Sequence, residues 1–203
     1  MWGDIAIAFL LAFITAFVIT PYTIRLAKKV GAVDMPEDRR VNKKPMPRLG
    51  GLAVIAGFMV SAIYLVISMS LEKKIDFTED NLTLKIIGFL SGGIILGITC
   101  FIDDVKGIKP LAKLAGQTLA AILVASSGIL IDNFTIPFKE NSVMLNEIFS
   151  YILTIGWIVG ITNAINLIDG LDGLSSGITL ISCLSLLIIF ALNESPLIAV
   201  VLI

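Results

Sequence analysis

The chain has 203 residues, of which 57% are hydrophobic, and its 15 basic and 16 acidic residues leave a net charge of −1. A water-soluble domain of this length needs much less apolar sequence, so the composition predicts an integral membrane protein. Histidine is absent, which excludes histidine-based acid–base chemistry and histidine metal ligands from this chain. Any catalysis must therefore depend on carboxylates, lysines, arginines, amides or a metal.

Six apolar stretches are each long enough to be a membrane span, which needs about 20 mostly apolar residues. They lie at about 3–24, 49–70, 84–102, 111–131, 148–168 and 174–192. A seventh apolar run begins at Pro196, but its eight residues would form a helix of only about 12 Å. We therefore expect an all-α polytopic membrane protein in which residues 1–203 form one integral membrane domain, and we expect this sequence to be the N-terminal part of a longer protein.

The basic residues are concentrated in two of the predicted loops. The stretch 25–48 carries eight lysines and arginines, and 103–113 carries three more. The positive-inside rule places both loops in the cytoplasm, with 25–48 as the first cytoplasmic loop. The N-terminus and the connections 71–83 and 132–147 are then outside, and the acidic clusters described below face the cytoplasm.

Two local patterns predict structure outside the charged loops. The segment 132–147 has two short apolar runs separated by polar residues, which is typical of a β-hairpin, here on the outer side. The stretch 84–102 contains four glycines at spacings that suit close packing between helices. These are Gly88, Gly92, Gly93 and Gly97.

The first acidic cluster is Asp103-Asp104, at the end of the third apolar stretch. Adjacent residues on a helix point about 100° apart, so one carboxylate can face a metal while the other faces a substrate. Lys113 and Gln117 are four residues apart and therefore share one face of the next helix. The alternative is a solvated loop in which Asp103 pairs with Lys106.

The second cluster places a polar residue at every third position near the end of the fifth apolar stretch. The four residues are Asn163, Asn166, Asp169 and Asp172. Gly170 and Gly173 indicate that the helix ends near Asp169. Amides donate and accept hydrogen bonds, which suits a sugar or a nucleobase, and carboxylates suit Mg²⁺. The alternative is a polar turn that merely terminates the helix.

The segment Pro45–Gly51, with the basic residues before it, is suited to binding phosphate. Arg48 offers a bidentate guanidinium, and Lys43 offers a point charge. The alternative is an ordinary positive-inside loop that contacts anionic lipid.

Three segments of the chain, 31–51, 101–117 and 163–174, together resemble the polyprenyl-phosphate N-acetylhexosamine-1-phosphate transferases. The third segment matches the N-x-x-N-x-x-D-G-x-D-G-L motif of that family. The Pro-x-Pro-Arg-x-Gly-Gly form of 45–51 is similar to the branch that uses UDP-GlcNAc or another UDP-HexNAc. The phospho-MurNAc-pentapeptide translocase is the alternative branch.

The resemblance implies that a sugar 1-phosphate, GlcNAc-1-phosphate in this branch, passes from a UDP-sugar to polyprenyl phosphate. It implies Mg²⁺ or Mn²⁺ as cofactor, about ten helices, a homodimer, no nucleic-acid partner, and a cytoplasmic-face site in the bacterial inner membrane. Catalytic roles would fall on Asp103, Asp104 and Asp169, of which Asp104 and Asp169 would also be the metal ligands. Substrate binding would involve Lys43, Arg48, Lys113, Asn163, Asn166 and Asp172.

The family's later histidine-rich motif is not present in these residues, so we do not expect residues 1–203 to catalyse turnover alone. An ion-coupled transporter is a competing interpretation, although its carboxylates would more often lie in the middle of a span. A CDP-alcohol phosphotransferase would have an Ala-Arg pair shortly after its first Asp-Gly, whereas Leu171-Asp172-Gly173 follows here. A purely structural membrane subunit is the remaining alternative.

Overall fold

The computed structural model describes residues 2–36, 44–72, 81–135, 142–171 and 173–192. These residues contain six α-helices and four short strands. The helices are α1 (Trp2–Val30), α2 (Gly50–Leu71), α3 (Leu82–Lys106), α4 (Pro110–Ser126), α5 (Glu147–Ile168) and α6 (Leu174–Leu192). The strands are β1 (Val33–Asp34), β2 (Met46–Pro47), β3 (Asn133–Thr135) and β4 (Ser142–Met144).

Each of the six predicted apolar stretches contains a helix, and the fold is mostly α-helix, but α4 ends at Ser126, five residues before the predicted end of the stretch 111–131. Four helices in the described part of the chain are long and apolar enough to cross a membrane: Gly3–Val30, Gly50–Leu71, Leu82–Lys106 and Glu147–Ile168. Two more apolar helices, Pro110–Ser126 and Leu174–Ile189, are shorter. The seventh apolar run predicted from Pro196 lies outside the described residues.

The chain divides into two compact units. The first comprises Met1–Asp76, Asp104–Lys106 and Leu167–Ile203, and the second comprises Phe77–Asp103 and Gly107–Asn166. The boundary therefore falls inside the last turns of α3 and α5.

Helix α1 is longer than the sequence predicted, because it continues past residue 24 to Val30. Pro21 lies inside it and lacks an N–H, so it cannot donate the usual helical hydrogen bond to the Phe17 carbonyl. The neighbouring Thr20 hydroxyl donates to the Ala16 carbonyl at 2.7 Å. Two lysines in the last turn interact favourably with its carbonyl end. The predicted loop 25–48 thus begins six residues too early.

Helices α1 and α2 pack antiparallel in the first unit. A Cβ added at Gly57 would lie 2.6 Å from the Ala12 carbonyl oxygen, so the two backbones approach closely there. The Ser68 hydroxyl donates to an Asp4 carboxylate oxygen at 3.1 Å near one end of the pair. A small apolar core lies close to this contact and consists of Ile5, Ala8, Leu65 and Met69.

At the other end of α1 and α2, strands β1 and β2 close the connection between the helices. Val33 pairs with Pro47, and Asp34 pairs with Met46. The Arg48 N–H extends this closure by donating to the Ala32 carbonyl at 3.0 Å. The prolines of this segment are consistent with the non-helical connection, but no local pattern in the sequence indicated the strand pair.

Helices α3 and α4 pack through small residues in the second unit, as the glycine spacing predicted. A Cβ at Gly88 would clash with the Ser127 side chain, and one at Gly92 would clash with Val124. Gly93, by contrast, has no atom of the described residues within 4 Å of such a Cβ. The prediction of close packing is confirmed for the two glycines on the face toward α4.

Strands β3 and β4 pair antiparallel within 132–147, which confirms the predicted strand pairing. Asn133 lies opposite Met144. The adjacent Ile131 N–H donates to the Thr154 hydroxyl at 2.9 Å, which links this segment to α5. The turn between the strands, 136–141, lies outside the described residues.

Candidate active site

The link between α3 and α4 is only three residues long. Gly107 ends α3 at φ +63°, a left-handed conformation that glycine adopts without a steric penalty, and its N–H donates to the Asp103 carbonyl at 2.7 Å. Pro110 then begins α4, where its missing N–H costs nothing. This tight turn brings the first turn of α4 beside the last turn of α3.

Lys113 of α4 contacts polar side chains of both α3 and α5. Its ammonium nitrogen lies 2.8 Å from an Asp103 carboxylate oxygen and donates to the Asn166 amide oxygen at 3.0 Å. The Lys113 and Asp103 side chains are only 17% and 22% exposed. The carboxylate therefore pairs with the next helix, and not with Lys106 as the solvated-loop alternative assumed.

One turn further along α4, Gln117 and Asn163 form a reciprocal amide pair. The Asn163 amide nitrogen donates to the Gln117 side-chain oxygen at 2.8 Å, and the Gln117 nitrogen donates back at 3.4 Å. Asn163 also donates to the Val159 carbonyl at 2.9 Å. Gln117 is 1% exposed, so its amide depends on this partner to satisfy its hydrogen bonds.

We call Asp103, Lys113, Gln117, Asn163 and Asn166 the polar cluster. It joins the end of α3, the start of α4 and the end of α5, all within the second unit. The sequence predicted that each helix carries its own polar face but not that the faces of α4 and α5 meet. Gln117 was part of the motif 101–117, but no role was predicted for it. It is a lone amide in a helix whose other buried residues are Ala and Val, and this isolation was the signal that it has a specific role.

The end of α5 is where the sequence predicted it. The helix stops at Ile168, and the Gly170 N–H donates to the Ile168 carbonyl at 2.7 Å. Asp169 lies exposed in the turn that follows. Asp172, the next acidic candidate, lies outside the described residues. Asp169 belongs to the first unit, as does Asp104.

Arg48 forms an ion pair with Asp34, across the strands that close the α1–α2 connection. The sequence did not identify Asp34 as its partner, because the two residues are far apart in the chain and only the strand pairing brings them together. Lys43, the other basic candidate of this segment, lies outside the described residues.

A divalent cation would fit the described residues only as an ion that is shared with a bound phosphorylated ligand. The described part of the chain contains no group of three or more acidic or cysteine ligands that could enclose a metal. Mg²⁺, however, is commonly bound by one or two carboxylates together with water and substrate phosphates. Asp104 and Asp169 are the two carboxylates that the resemblance suggests for such an ion, and both belong to the first unit.

The fold and this cluster define a polytopic helical membrane protein whose polar groups suit a phosphorylated ligand. The comparison with protein families matches residues 86–203 to glycosyl transferase family 4. The chain belongs to this family.

Relatives in two branches resemble the chain over most of its length. A probable undecaprenyl-phosphate N-acetylglucosaminyl 1-phosphate transferase of Bacillus subtilis is 41% identical over 93% of this chain and 49% of its own. A decaprenyl-phosphate N-acetylglucosaminephosphotransferase of Mycobacterium tuberculosis is 35% identical over 86% and 42%. A phospho-N-acetylmuramoyl-pentapeptide-transferase of Desulfitobacterium hafniense is 32% identical over 96% and 59%.

The chain therefore spans about half the length of the curated relatives that it matches. No solved structure shows a significant match to it.

Proposed function

We propose that the protein transfers a sugar 1-phosphate, GlcNAc-1-phosphate first among the candidates, from a UDP-sugar to undecaprenyl phosphate. The single observation that carries the proposal is the Lys113 ammonium, held between Asp103 and Asn166 in a helical membrane protein of glycosyl transferase family 4. The 41% identity to the Bacillus subtilis relative favours the GlcNAc branch.

In the proposed reaction, a phosphate oxygen of the lipid attacks the β-phosphorus of the UDP-sugar. The bond between that phosphorus and the oxygen bridging to the α-phosphate breaks, and UMP leaves with the bridging oxygen. A phosphomonoester has a second pKa near 6, so the attacking phosphate is largely dianionic at neutral pH. Phosphoryl transfer of this kind depends mainly on positioning and on stabilising charge.

Lys113 contributes a positive charge to the diphosphate, and Arg48 and Lys43 are proposed to contribute two more. Asn163, Asn166 and Asp172 are proposed to bind the uridine or the sugar, or to order the end of α5. Asp103 orients Lys113 through their ion pair and is also proposed to position or deprotonate the lipid phosphate.

Asp169 and Asp104 are the proposed ligands of Mg²⁺, which supplies charge neutralisation at the diphosphate when bound. Asp169→Asn keeps the shape of the side chain but removes its charge, so we expect turnover to need at least about tenfold more Mg²⁺. Titrating Mg²⁺ against the initial rate checks this. An unchanged Mg²⁺ dependence in Asp169→Asn would remove Asp169 from the metal site.

The decisive experiment uses the protein expressed from its full coding sequence and reconstituted in lipid. We expect UMP release from UDP-GlcNAc, matched by lipid-linked sugar, only when undecaprenyl phosphate and Mg²⁺ are both present. UDP-MurNAc-pentapeptide is assayed in parallel, because the Desulfitobacterium hafniense relative favours that branch as the second candidate. Turnover of neither nucleotide would refute the proposal.

We also propose that the polar cluster faces the cytoplasm, with the N-terminus outside, in a bacterial inner membrane. The support is the concentration of Lys and Arg in 25–48 and 103–113. A cysteine introduced at Lys44 should resist an impermeant thiol reagent in intact cells, whereas one introduced at Lys139 should react. Equal labelling of the two would contradict this orientation.

A further inference from the structure

Gln117 is the only amide among the buried residues of α4, whose other buried positions within the described chain are Ala120, Ala121, Val124 and Ala125. A buried amide is costly unless it is hydrogen-bonded, and an apolar side chain would pack here without that cost. Gln117 is nevertheless an amide and lies beside Asn163. We therefore expect its contribution to be the relative position of the two helices that the amide pair specifies.

The pair specifies how far α4 is displaced along α5. Each amide presents one donor and one acceptor to the other, so both hydrogen bonds form in only one alignment of the two helices. A slip by one residue moves a helix about 1.5 Å along its axis and turns its side chains by about 100°. Small apolar side chains tolerate such slips, whereas a buried polar pair selects one register. The bond from Asn163 to the Val159 carbonyl holds one of the two amides in place.

The alignment of α4 with α5 also determines a contact one turn away, where Lys113 donates to the Asn166 amide oxygen. Lysine is a flexible point charge, so its ammonium is useful to a ligand only if neighbouring groups fix its position. Asp103 fixes it from α3 and Asn166 fixes it from α5. The second of these contacts exists only in the register that Gln117 and Asn163 select.

We propose that Gln117 is a positioning residue that, through its pair with Asn163, keeps Asn166 beside Lys113 and so holds the Lys113 ammonium ready to bind a diphosphate. The inference rests on the proposed function for the identity of the ligand as a sugar nucleotide. Gln117 itself does not touch the ligand in this scheme and acts through Lys113.

The test is a double-mutant cycle on affinity, with the full-length protein in lipid nanodiscs. The ligand is UDP-GlcNAc with Mg²⁺, and inorganic diphosphate with Mg²⁺ is a second probe. Gln117→Met keeps the length of the side chain but removes the amide, and we expect about tenfold weaker binding of both ligands. In a Lys113→Met background the same change should weaken binding by less than about twofold, because the group that it positions is gone.

Thr118→Val is the matched control, since it removes a polar group from the next residue of α4. Within the part of the chain that the structure describes, the Thr118 hydroxyl donates only to the Leu114 carbonyl of its own helix, at 2.8 Å. Its loss should change affinity by less than about twofold. Exchanging the two amides, as Gln117→Asn with Asn163→Gln, keeps a complementary pair and should recover most of the affinity for inorganic diphosphate, which lacks the uridine and the sugar that Asn163 is proposed to bind.

Three results would overturn the inference. These are affinity within twofold of wild type in Gln117→Met, an equal loss in the Lys113→Met background, or an exchange variant that accumulates normally but binds inorganic diphosphate as weakly as Gln117→Met. If Gln117→Met does not accumulate in membranes, Gln117→Asn, which shortens the side chain by one methylene, replaces it with the same expected loss. Wild-type protein that binds inorganic diphosphate but neither binds nor turns over UDP-GlcNAc would refute the proposed function alone, and the cycle would then be completed with diphosphate.

Discussion

The α1–α2 pair and the α3–α4–α5 group are both built from antiparallel apolar helices, but they place their polar contacts differently. In the α1–α2 pair the contacts lie at the ends, where Ser68 meets Asp4 and Arg48 meets Asp34. In the α3–α4–α5 group, Gln117 and Asn163 meet between the helices and the Gln117 side chain is 1% exposed.

The difference shows which contacts hold the helices together and which serve another purpose. Close packing at Gly57 and at Gly92 is present in both regions, so small residues are sufficient to bring two of these helices together. The half-buried amide pair of Gln117 and Asn163 and the Lys113 ion pair are additions to that packing. We therefore expect substitutions in the polar cluster to affect ligand binding most, and substitutions between α1 and α2 to affect stability alone.

The largest effect is expected from Lys113→Met. Removing a positioned cation from a phosphoryl-transfer site should lower the rate about 100-fold or more, while the amount of folded protein changes little. Lys109→Met, at the N-cap of the same helix, is the control and should stay within about threefold of wild type. UMP release measures both. A rate within threefold of wild type in Lys113→Met would show that the cluster is only structural.

The α4 half and the α5 half of this cluster could each be predicted from the sequence, but their contact could not. Periodicity places Lys113 and Gln117 on one face of α4, and Asn163 and Asn166 near the end of α5, because residue spacing fixes direction on a helix. It carries no information about which helices are neighbours. The end of α5 was predictable, since Gly170 is a local signal. The β1–β2 closure was not, because its two strands are two residues each and eleven residues separate them.

An intermediate effect is expected from valine at two packed glycines. At Gly57 the new side chain meets the Ala12 carbonyl, and at Gly116 it meets Thr99, with a Cβ distance of 2.6 Å in each case. Both changes should destabilise the protein by about 1–3 kcal/mol. Because Gly116 lies between Lys113 and Gln117 on α4, only Gly116→Val should also weaken the binding of inorganic diphosphate.

The control for both is Gly93→Val, since a Cβ there has open space around it. It should shift stability by no more than about 0.5 kcal/mol. The thermal unfolding midpoint measures the loss of stability in each variant, and the diphosphate affinity of the folded fraction measures the loss of binding. Weaker diphosphate binding in Gly57→Val than in Gly116→Val would contradict the assignment of stability and binding to the two regions.

The smallest effect is expected from Asp34→Asn. The Arg48 and Asp34 side chains are 39% and 28% exposed, and an ion pair so accessible to solvent contributes less than about 1 kcal/mol. We expect little change in the unfolding midpoint and a change in UDP-GlcNAc affinity below about threefold. A loss of affinity above tenfold would show that Asp34 orients Arg48 for the ligand.

The three-residue turn at Gly107 also bears on how the protein is made. Asp103 and Lys113 are ten residues apart in the chain, and their ion pair needs only α3 and α4. The two charges can therefore neutralise each other as soon as α3 and α4 have packed together, before ribosomes have completed α5. Asn166 then reaches an ammonium group that is already in place, so the order of synthesis is also the order in which the cluster is assembled.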